Sequence, residues 1–338
     1  MDEKITYSAA GVDIDAAETA KRKIAEYAKS TFTEKVLTQI GLFAGAFDIG
    51  GGKVLLASTD GVGTKILVAI RAGIYNTVGV DLVHHCVNDI LVHGAEPLFL
   101  LDYLAHTDLT PDRVAEVVRG LAEGCCDANC ALIGGETAQM PGFYPSGVFD
   151  LAATIVGQVE KDKIITGEKI RAGDRIIALP ANGLHTNGYS LARYVLFQKA
   201  GLDVDTRVDE LGETVGEALL KVHPLYLEPV KKISAVAEIH GMAHITGGGV
   251  AGNLSRVLPK NVDAVVRKNS APEIPIFQLI RRIGEIPEDE MFRAFNMGFG
   301  FLVIVPQDQT DRALAAVREH GAFIAGEIVP GEGKVILT

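Results

Sequence analysis

The order of apolar segments along the chain constrains its fold more than any other feature. Short apolar runs alternate with segments whose apolar residues recur at helical spacing. In the first half, strands are predicted at 54–58, 98–105, 131–134 and 148–159. In the second half, strands are predicted at 175–180, 243–246, 262–266, 301–305 and 322–329, with helices near 189–200, 225–240 and 310–320. Strands interleaved with helices predict an α/β architecture in each half.

Length and composition predict two domains. A chain of 338 residues exceeds the usual size of about 150 residues per domain, and 48% hydrophobic residues suffice for two packed cores. A polar segment from Glu160 to Asp174 follows a long predicted strand and precedes another. We therefore place the boundary in this segment and expect domains at 1–168 and 169–338.

Charge and terminal sequence argue against several classes of partner. The net charge of −11 disfavours nucleic acids and anionic membranes, which need basic surface. The N-terminus lacks the basic and apolar regions of a signal peptide, and no apolar run approaches the ~18 residues of a membrane span. The four cysteines lack the spacing of a zinc site and are interpreted as buried structural thiols. We expect a cytoplasmic protein.

A turn after the first of these strands carries the chemistry of a metal-assisted phosphate site. Its sequence is Ser58-Thr-Asp-Gly-Val-Gly-Thr-Lys65. The carboxylate of Asp60 suits a hard cation, while Gly61, Val62, Gly63 and Thr64 bring backbone amides to an anion and Lys65 adds a positive charge. The alternative is an ordinary turn followed by a surface lysine, which would have the same sequence.

Two familiar nucleotide-binding loops are excluded. The P-loop pattern fails because Gly52-Lys53 is followed by Val54 and has Phe47 at the position of the first glycine. The dinucleotide pattern fails because Gly61-Val-Gly63 has Ile66 at the position of the third glycine. A P-loop kinase and a nicotinamide dehydrogenase are therefore disfavoured.

A predicted helix from Asp81 to His93 carries polar residues at every fourth position. They are Asp81, His85, Asp89 and His93, and they share one face. A solvated face would also be polar, but such faces are usually rich in Lys and Glu, which this one lacks. We therefore interpret the stripe as functional.

A second carboxylate follows a buried-looking strand. Glu136 stands just past Gly134 and Gly135. Together with Asp60 and Asp89 it would suit Mg²⁺, which binds one or two carboxylates plus phosphate oxygens and water. A helix-start carboxylate after a glycine turn is the alternative.

Two motifs of the second half are typical of anion and proton-transfer sites. Gly183-Leu-His-Thr-Asn-Gly-Tyr-Ser190 runs from a turn into a helix and includes His185. His244-Ile-Thr-Gly-Gly-Gly249 supplies the hydroxyl of Thr246 and the backbone of Gly247, Gly248 and Gly249, a nest suited to phosphate. A structural histidine and a mobile glycine loop are the alternatives.

Seven motifs in this order carry a family resemblance. They are Tyr7-x-x-Ala-Gly-Val-Asp-Ile-Asp15, the turn ending at Lys65, Asp81-Leu-Val to Val-Asn-Asp89, Gly94-Ala-Glu-Pro-Leu-Phe, Gly134-Gly-Glu-Thr-Ala-x-Met-Pro-Gly142, His185-Thr-Asn-Gly-Tyr-Ser and His244-Ile-Thr-Gly-Gly-Gly. The chain resembles the phosphoribosylformylglycinamidine cyclo-ligases, also called aminoimidazole ribonucleotide synthetases, of purine biosynthesis. The likeness extends beyond Phe295-Asn-Met-Gly-Phe-Gly300 and so covers nearly the whole chain.

The resemblance implies an architecture and cofactors. It implies a homodimer of two-domain α/β subunits whose N-terminal mixed sheets form a barrel across the dimer, with a C-terminal sheet and packed helices. It also implies ATP and Mg²⁺, with the nucleotide near the Asp60 turn, in the N-terminal domain at 1–168. The domain at 169–338 would hold the substrate and its phosphate.

The resemblance also implies a reaction. ATP would phosphorylate the formyl oxygen of formylglycinamidine ribonucleotide, and the amidine nitrogen would then close the ring. We expect Asp60, Asp89 and Glu136 to hold Mg²⁺, with Lys65 close to the phosphates and Gly135 near the nucleotide. His185 is expected to transfer a proton, and Thr246 to Gly249 to bind the substrate's phosphate.

The chain departs from the family pattern at two places. Ser8 and Ala9 stand where family members often have Lys and Asp, and Leu42 replaces a glycine of a loop near the nucleotide. A different ATP-dependent phosphoryl-transfer enzyme and a catalytically silent nucleotide-binding protein are the alternative functions. The silent protein is disfavoured because the carboxylates, His185 and the triple glycine are all present.

Overall fold

The computed structural model describes residues 14–338. The first motif of the resemblance begins before this range, and Ser8 and Ala9 lie outside it. The helices are α1 (Ile14–Lys29), α2 (Ile66–Ala72), α3 (Asn76–Leu91), α4 (Pro111–Asp127), α5 (Tyr189–Arg193), α6 (Val215–Leu219), α7 (Leu227–Val236), α8 (Gly249–Leu254), α9 (Pro275–Gly284), α10 (Glu288–Ala294) and α11 (Thr310–Ala316). A π-helical segment, Tyr194–Lys199, continues α5.

The first half forms a mixed five-stranded sheet. Its strands are β1 (Gly45–Gly50), β2 (Lys53–Gly61), β3 (Glu96–His106), β4 (Ala131–Gln139) and β5 (Phe149–Glu160). Their order is β1-β2-β5-β3-β4, and only the β3–β4 pair is parallel within this sheet. Helix α4 makes the crossover that a parallel pair requires. The four strands predicted in this half are confirmed, whereas β1 was not predicted.

The second half forms a mixed six-stranded sheet and a small hairpin. The strands are β6 (Arg175–Pro180), β7 (Arg207–Val208), β8 (Glu213–Thr214), β9 (Gly241–His244), β10 (Val262–Val266), β11 (Phe299–Val305), β12 (Phe323–Pro330) and β13 (Val335–Leu337). The order in the large sheet is β13-β10-β12-β6-β11-β9, and β7 pairs with β8. Every residue of β11 is buried, as its continuous apolar sequence requires.

The protein therefore consists of two α/β units with mixed sheets, as predicted. Its halves also pack on each other, because one apolar cluster joins α2 and α3 to α5, α6 and α9. The boundary at residues 168 and 169 falls between the two sheets and stays a prediction. No helix among residues 14–338 is long and apolar enough to cross a membrane.

Helix α4 shows how a glycine inside a helix allows close packing. The helix begins after Thr110, whose hydroxyl accepts a hydrogen bond from the backbone of Arg113, and Pro111 is its first residue. It includes Gly124 and ends at Asp127. A Cβ atom on Gly124 would lie 2.9 Å from Cβ of Val83, so this glycine allows α3 and α4 to pack closely.

Helix α3 is the central element of the junction between the halves. All residues from Val78 to Leu91 are buried, and so is His93, the last residue of the polar stripe, which follows the end of the helix. The alternative of a solvated face is therefore excluded by burial. A polar stripe in the core needs partners, because an unpaired buried charge is costly. The prediction of buried thiols is confirmed for Cys86 and Cys125 and is wrong for Cys126, which is exposed, while Cys130 is half-buried.

Candidate active site

The candidate site lies where the polar stripe of α3 meets the second half of the chain. The end of β2 supplies Asp60, and α3 supplies His85 and Asp89. The second half supplies Thr186, from the loop before α5, and His244, at the end of β9. Residues far apart in sequence therefore converge on one buried junction.

Asp60 and His85 form an ion pair at the edge of this junction. The Oδ2 atom of Asp60 lies 2.7 Å from Nε2 of His85, whose Nδ1 lies 2.8 Å from the hydroxyl oxygen of Thr186. Burial alone would raise the pKa of Asp60, but the hydrogen bond and charge of His85 outweigh it and lower that pKa. Burial would likewise lower the pKa of His85, yet Asp60 raises it to about 9. Both groups are charged at neutral pH.

Asp89 is the second carboxylate of the site. Its Oδ1 accepts a hydrogen bond from Nδ1 of His244 at 2.8 Å, and its Oδ2 accepts one from the hydroxyl of Ser58 at 3.1 Å. The side chain of Asp89 is 9% exposed, whereas that of Asp60 is 43% exposed. Ligating atoms of Asp60, His85 and Asp89 all lie within 4.8 Å of one another.

Two carboxylates around one point, one of them open to solvent, fit the oxygen ligands that Mg²⁺ prefers. The structure thus brings together two of the three predicted metal ligands. Glu136 is the third, and this structure contradicts its assignment within one chain. It lies on β4, three strands from β2 in the order of the sheet, which is about 14 Å at the usual strand spacing.

Gly135 also lies on β4 and therefore away from Asp60. A Cβ atom at Gly135 would lie 2.2 Å from Oδ1 of Asp102, so the close contact between β3 and β4 accounts for this glycine. The sequence could not give this result, because it does not show which strands become neighbours. Within one chain, Gly135 and Glu136 are therefore not brought to Asp60, and their contact with the nucleotide stays a prediction.

The structure also contradicts direct contact between Lys65 and a phosphate. The side chain is fully buried, and Nζ lies 2.7 Å from Oδ2 of Asp81. The same ammonium donates hydrogen bonds to the backbone carbonyls of His185 and Lys221, at 3.0 and 2.8 Å. An ammonium has three N–H donors, so these partners occupy all of them.

The turn itself is only partly open to an anion. The amide of Gly61 donates to Oδ1 of Asp60, and the amide of Val62 donates to the carbonyl of Leu151. Both amides already have partners in this structure, and their binding of an anion stays a prediction. Gly63, with φ of +71°, and Thr64 begin the helical segment that continues into α2. Their backbone amides remain the candidates for binding an anion in this turn.

Four histidines of the junction lie side by side. The Nε2 atoms of His244 and His223 are 3.0 Å apart. The ring of His223 stacks on that of His185, with centroids 4.1 Å apart and planes inclined by 25°. His85 completes the group through an edge contact with His244. Burial, and after it the neighbouring histidines, lower the pKa of His185 and of His223 well below the usual range of histidine.

His185 combines several properties of a functional residue. It has a φ of +61°, which is uncommon for a residue other than glycine. Its side chain is 1% exposed, and neither ring nitrogen has a hydrogen-bond partner among the described residues. Buried polar atoms are rarely left without partners, and the exceptions call for an explanation.

The triple glycine and the motif of His185 meet in space. A Cβ atom on Gly247 would lie 3.1 Å from the side-chain oxygen of Asn187. Asn253 of α8 holds this loop, because its amide donates to the carbonyls of Thr246, Gly247 and Gly249. Two motifs that are far apart in the sequence therefore lie against each other in the structure.

Sequence reasoning missed His223 and the partner roles of Ser58 and Thr186. His223 stands alone between Val222 and Pro224, in a segment without periodicity. The only available signal was indirect, since a polar stripe on a buried helix requires polar partners elsewhere in the chain.

Comparisons with known proteins identify the family of the chain. The family profile "AIR synthase related protein, N-terminal domain" matches residues 42–159, and its C-terminal counterpart matches residues 171–338. The chain is 48% identical to the phosphoribosylformylglycinamidine cyclo-ligase of Syntrophotalea carbinolica, over 99% of this chain and 98% of that protein. It is 47% identical to that of Carboxydothermus hydrogenoformans, over 99% of both.

Solved structures share the fold at low sequence identity. Thiamine monophosphate kinase from Aquifex aeolicus superposes with a TM-score of 0.62 at 16% identity, over 96% of this chain and 98% of that one. The hydrogenase maturation protein HypE in complex with ATP gives 0.60 at 22% identity, over 87% and 84%. The near-complete match at almost half identity decides the assignment: the chain belongs to the phosphoribosylformylglycinamidine cyclo-ligase family.

Proposed function

We propose that this protein closes the imidazole ring of aminoimidazole ribonucleotide from formylglycinamidine ribonucleotide, using ATP and releasing ADP and phosphate. The observation that carries the proposal is the 48% identity to a cyclo-ligase over 99% of the chain. The convergence of Asp60, Asp89 and His185 on one junction supports it, since these groups supply the charge and proton chemistry that the reaction needs.

The formyl oxygen must first become a leaving group. Its attack on the γ-phosphorus of ATP would form a phosphorylated intermediate and ADP. Asp60 and Asp89 would hold Mg²⁺, which neutralises phosphate charge when it is bound. The exposed edge of Asp60 faces solvent, while hydrogen bonds from Ser58 and His244 fix the orientation of Asp89.

The nucleotide has a suitable cavity beside β2. A cavity of about 470 Å³ is lined by the loop at 39–47, including Gly41 and Leu42, and by Ser58 and Thr59. Gly41 has a φ of +109° and open space at its Cβ position. We place ATP here, with its phosphates directed towards Asp60 and the amides of Gly63 and Thr64. The side chain of Leu42 then contributes apolar surface at a position where the family often has glycine.

Ring closure follows when the amidine nitrogen attacks the formyl carbon and the C–O bond to phosphate breaks. The attacking nitrogen loses a proton, which His185 would accept. The lowered pKa of His185 keeps its ring neutral at neutral pH, the form in which one ring nitrogen is an acceptor. Because the ring is 1% exposed, we expect the loops that carry His185 and Gly247 to part when substrate enters.

The substrate's own phosphate would bind the loop from Thr246 to Gly249. Gly248 has a φ of +95° and is exposed, so its backbone can approach an anion without a side chain in the way. Because Gly247 lies close to Asn187, a phosphate bound there would lie next to the segment that carries His185. The two ends of the substrate would thus be fixed on either side of the reacting carbon.

We also propose a homodimer formed through the free edge of the first sheet, with a barrel across the dimer. Strand β4 is an edge strand, and Ile133 on it is 58% exposed. Leu101 and Tyr103 on β3 are 40% and 39% exposed. An exposed apolar edge strand is a site of pairing between chains.

The variant Ile133→Asp should then be monomeric by light scattering, while Ile336→Asp, on the exposed edge strand β13, should remain dimeric. A dimeric Ile133→Asp protein would contradict this interface.

The fate of the formyl oxygen tests the chemistry. Substrate labelled with heavy oxygen in the formyl group should deliver that label to inorganic phosphate, because the proposed sequence breaks the bond between carbon and formyl oxygen. Mass spectrometry of the released phosphate measures this transfer. Unlabelled phosphate accompanying the aminoimidazole product would overturn the proposed order of steps.

A further inference from the structure

Lys65 and Asp81 form a fully buried ion pair between the two halves of the chain. Both side chains have no exposed surface, and the ammonium nitrogen lies 2.7 Å from the carboxylate. Lys65 belongs to the segment before α2, and Asp81 belongs to α3. Among the described residues, neither group takes part in the carboxylate cluster of Asp60 and Asp89.

The pair binds the backbone of two loops from the second half. Lys65 donates to the carbonyl of His185 at 3.0 Å and to that of Lys221 at 2.8 Å. Oδ1 of Asp81 accepts from the amide of His223 at 2.8 Å. The two side chains therefore hold the backbones of His185 and His223, whose imidazoles stack on each other.

Stability alone does not account for such a pair. The cost of removing two charges from water can exceed their attraction, and apolar replacements of similar volume are often neutral or stabilising. The backbone of His185 also has a φ of +61°, and such conformations persist only where the surroundings enforce them. The hydrogen bond from Lys65 to the carbonyl of this same residue is one such constraint.

We propose that Lys65 and Asp81 are positioning residues that fix the stacked imidazoles of His185 and His223 for proton transfer during ring closure. This inference rests on the function proposed above. Neither residue touches the substrate. They act by holding the main chain, so that the ring nitrogens of His185 keep a defined direction although no side-chain hydrogen bond orients them.

The test removes both charges together, because a single substitution would leave the other charge buried and unpaired. The double variant Lys65→Met with Asp81→Leu replaces the pair by apolar side chains of similar length. The matched control is Arg71→Gln with Asp203→Asn. That pair also joins the two halves, at 2.7 Å, but its side chains are 42% and 56% exposed.

We expect kcat of the double variant to fall by about 100-fold, the order that a misplacement near 1 Å causes, with KM for ATP unchanged. The pH profile of kcat should also shift, because the environment of His185 changes. The control should have the kcat, the KM for ATP and the pH profile of the wild type. If the double variant does not fold, Lys65→Arg serves in its place, since it keeps the charge while moving the donors, and the same loss in kcat is expected.

A second readout does not depend on activity. In protein with isotope-labelled histidine, the imidazole resonances of His185 and His223 should shift or broaden in the charge-removed variant and not in the control. Unchanged resonances together with unchanged kcat and pH profile would overturn the proposal. Wild-type protein without cyclo-ligase activity would instead reject the proposed function, and the resonances alone would then decide whether the pair positions the rings.

Discussion

The Nε2 atoms of His223 and His244 lie 3.0 Å apart, in the core of the junction between the two halves. The carboxylate of Asp89 only accepts hydrogen bonds, so Nδ1 of His244 must carry the proton in their contact. Neutral His244 then accepts at Nε2, and His223 donates from its own Nε2. This leaves Nδ1 of His223 as an acceptor without a partner among the described residues. The network thus runs from Asp89 to the ring that stacks on His185.

The variant His185→Asn tests the proposed proton carrier. Asparagine tolerates the positive φ of this position better than most residues, so the backbone should be preserved. We expect turnover to fall by about 100- to 10,000-fold, the usual contribution of a positioned acid or base. ATP affinity, measured by calorimetry, should stay within about twofold of the wild type. The control is His320→Asn, on the surface of the second half. Full turnover in His185→Asn would remove this residue from the mechanism.

The variant Asp60→Asn tests the proposed metal site. Neutralising this carboxylate removes one charged oxygen ligand, so the Mg²⁺ concentration for half-maximal rate should rise by about tenfold or more. The rate is measured across a Mg²⁺ titration at saturating ATP. Glu160→Gln, an exposed carboxylate at the end of β5, is the control. An unchanged Mg²⁺ dependence of Asp60→Asn would show that Asp60 does not hold the metal.

The free energy of unfolding should be largest at a pH near the ordinary pKa of histidine, about 6.5. Below that pH, histidines of the unfolded chain bind protons, whereas buried His185 and His223 of the folded protein stay neutral because their pKa values are lowered. The folded state is therefore destabilised as the pH falls. Each such group costs up to about 1.4 kcal/mol per pH unit as the pH falls. His85 acts in the opposite direction. Its pKa is raised to about 9, so the stability it contributes is fully present below the unfolded value and is lost as the pH rises towards 9.

Urea unfolding at a series of pH values, without added metal, measures both limbs of this curve. His223→Asn should flatten the acidic limb, and His85→Gln should flatten the alkaline one. If the slope of the free energy of unfolding against pH is unchanged in these variants, the pH dependence arises from other groups.

Two glycines of the triple-glycine region form a matched pair. A Cβ atom on Gly249, whose φ is +61°, would lie 1.9 Å from the backbone oxygen of Phe292. Gly249→Ala should therefore lower the free energy of unfolding by about 2–4 kcal/mol and raise KM for the ribonucleotide. Gly252→Ala, with open space around its Cβ position in the helix, should leave stability unchanged or raise it by up to about 1 kcal/mol. Equal effects of the two substitutions on KM would argue against the loop as a phosphate site.

Sequence patterns were sufficient where the relevant property is local. The alternation of strands and helices predicted both α/β units, and the four-residue spacing of Asp81, His85 and Asp89 predicted a shared helical face. The structure confirms both, because strand and helix periodicity are encoded in short windows.

Properties that depend on the tertiary structure were not predictable in this way. Lys65 follows a glycine-rich turn, where a lysine is usually exposed, yet the packing of the two halves buries it against Asp81. Glu136 follows a strand end as Asp60 does, but the order of strands in the sheet separates them. His223 has no distinguishing neighbours in sequence, and only the tertiary structure shows that it contacts the rings of His185 and His244.

The most direct test of the account measures ADP and aminoimidazole ribonucleotide together. Purified protein is incubated with ATP and Mg²⁺, with and without formylglycinamidine ribonucleotide. We expect ADP release to depend on the ribonucleotide, with one aminoimidazole product formed for each ADP. ADP release without that product, or no response to the ribonucleotide in protein that binds ATP, would contradict the proposed cyclo-ligase reaction.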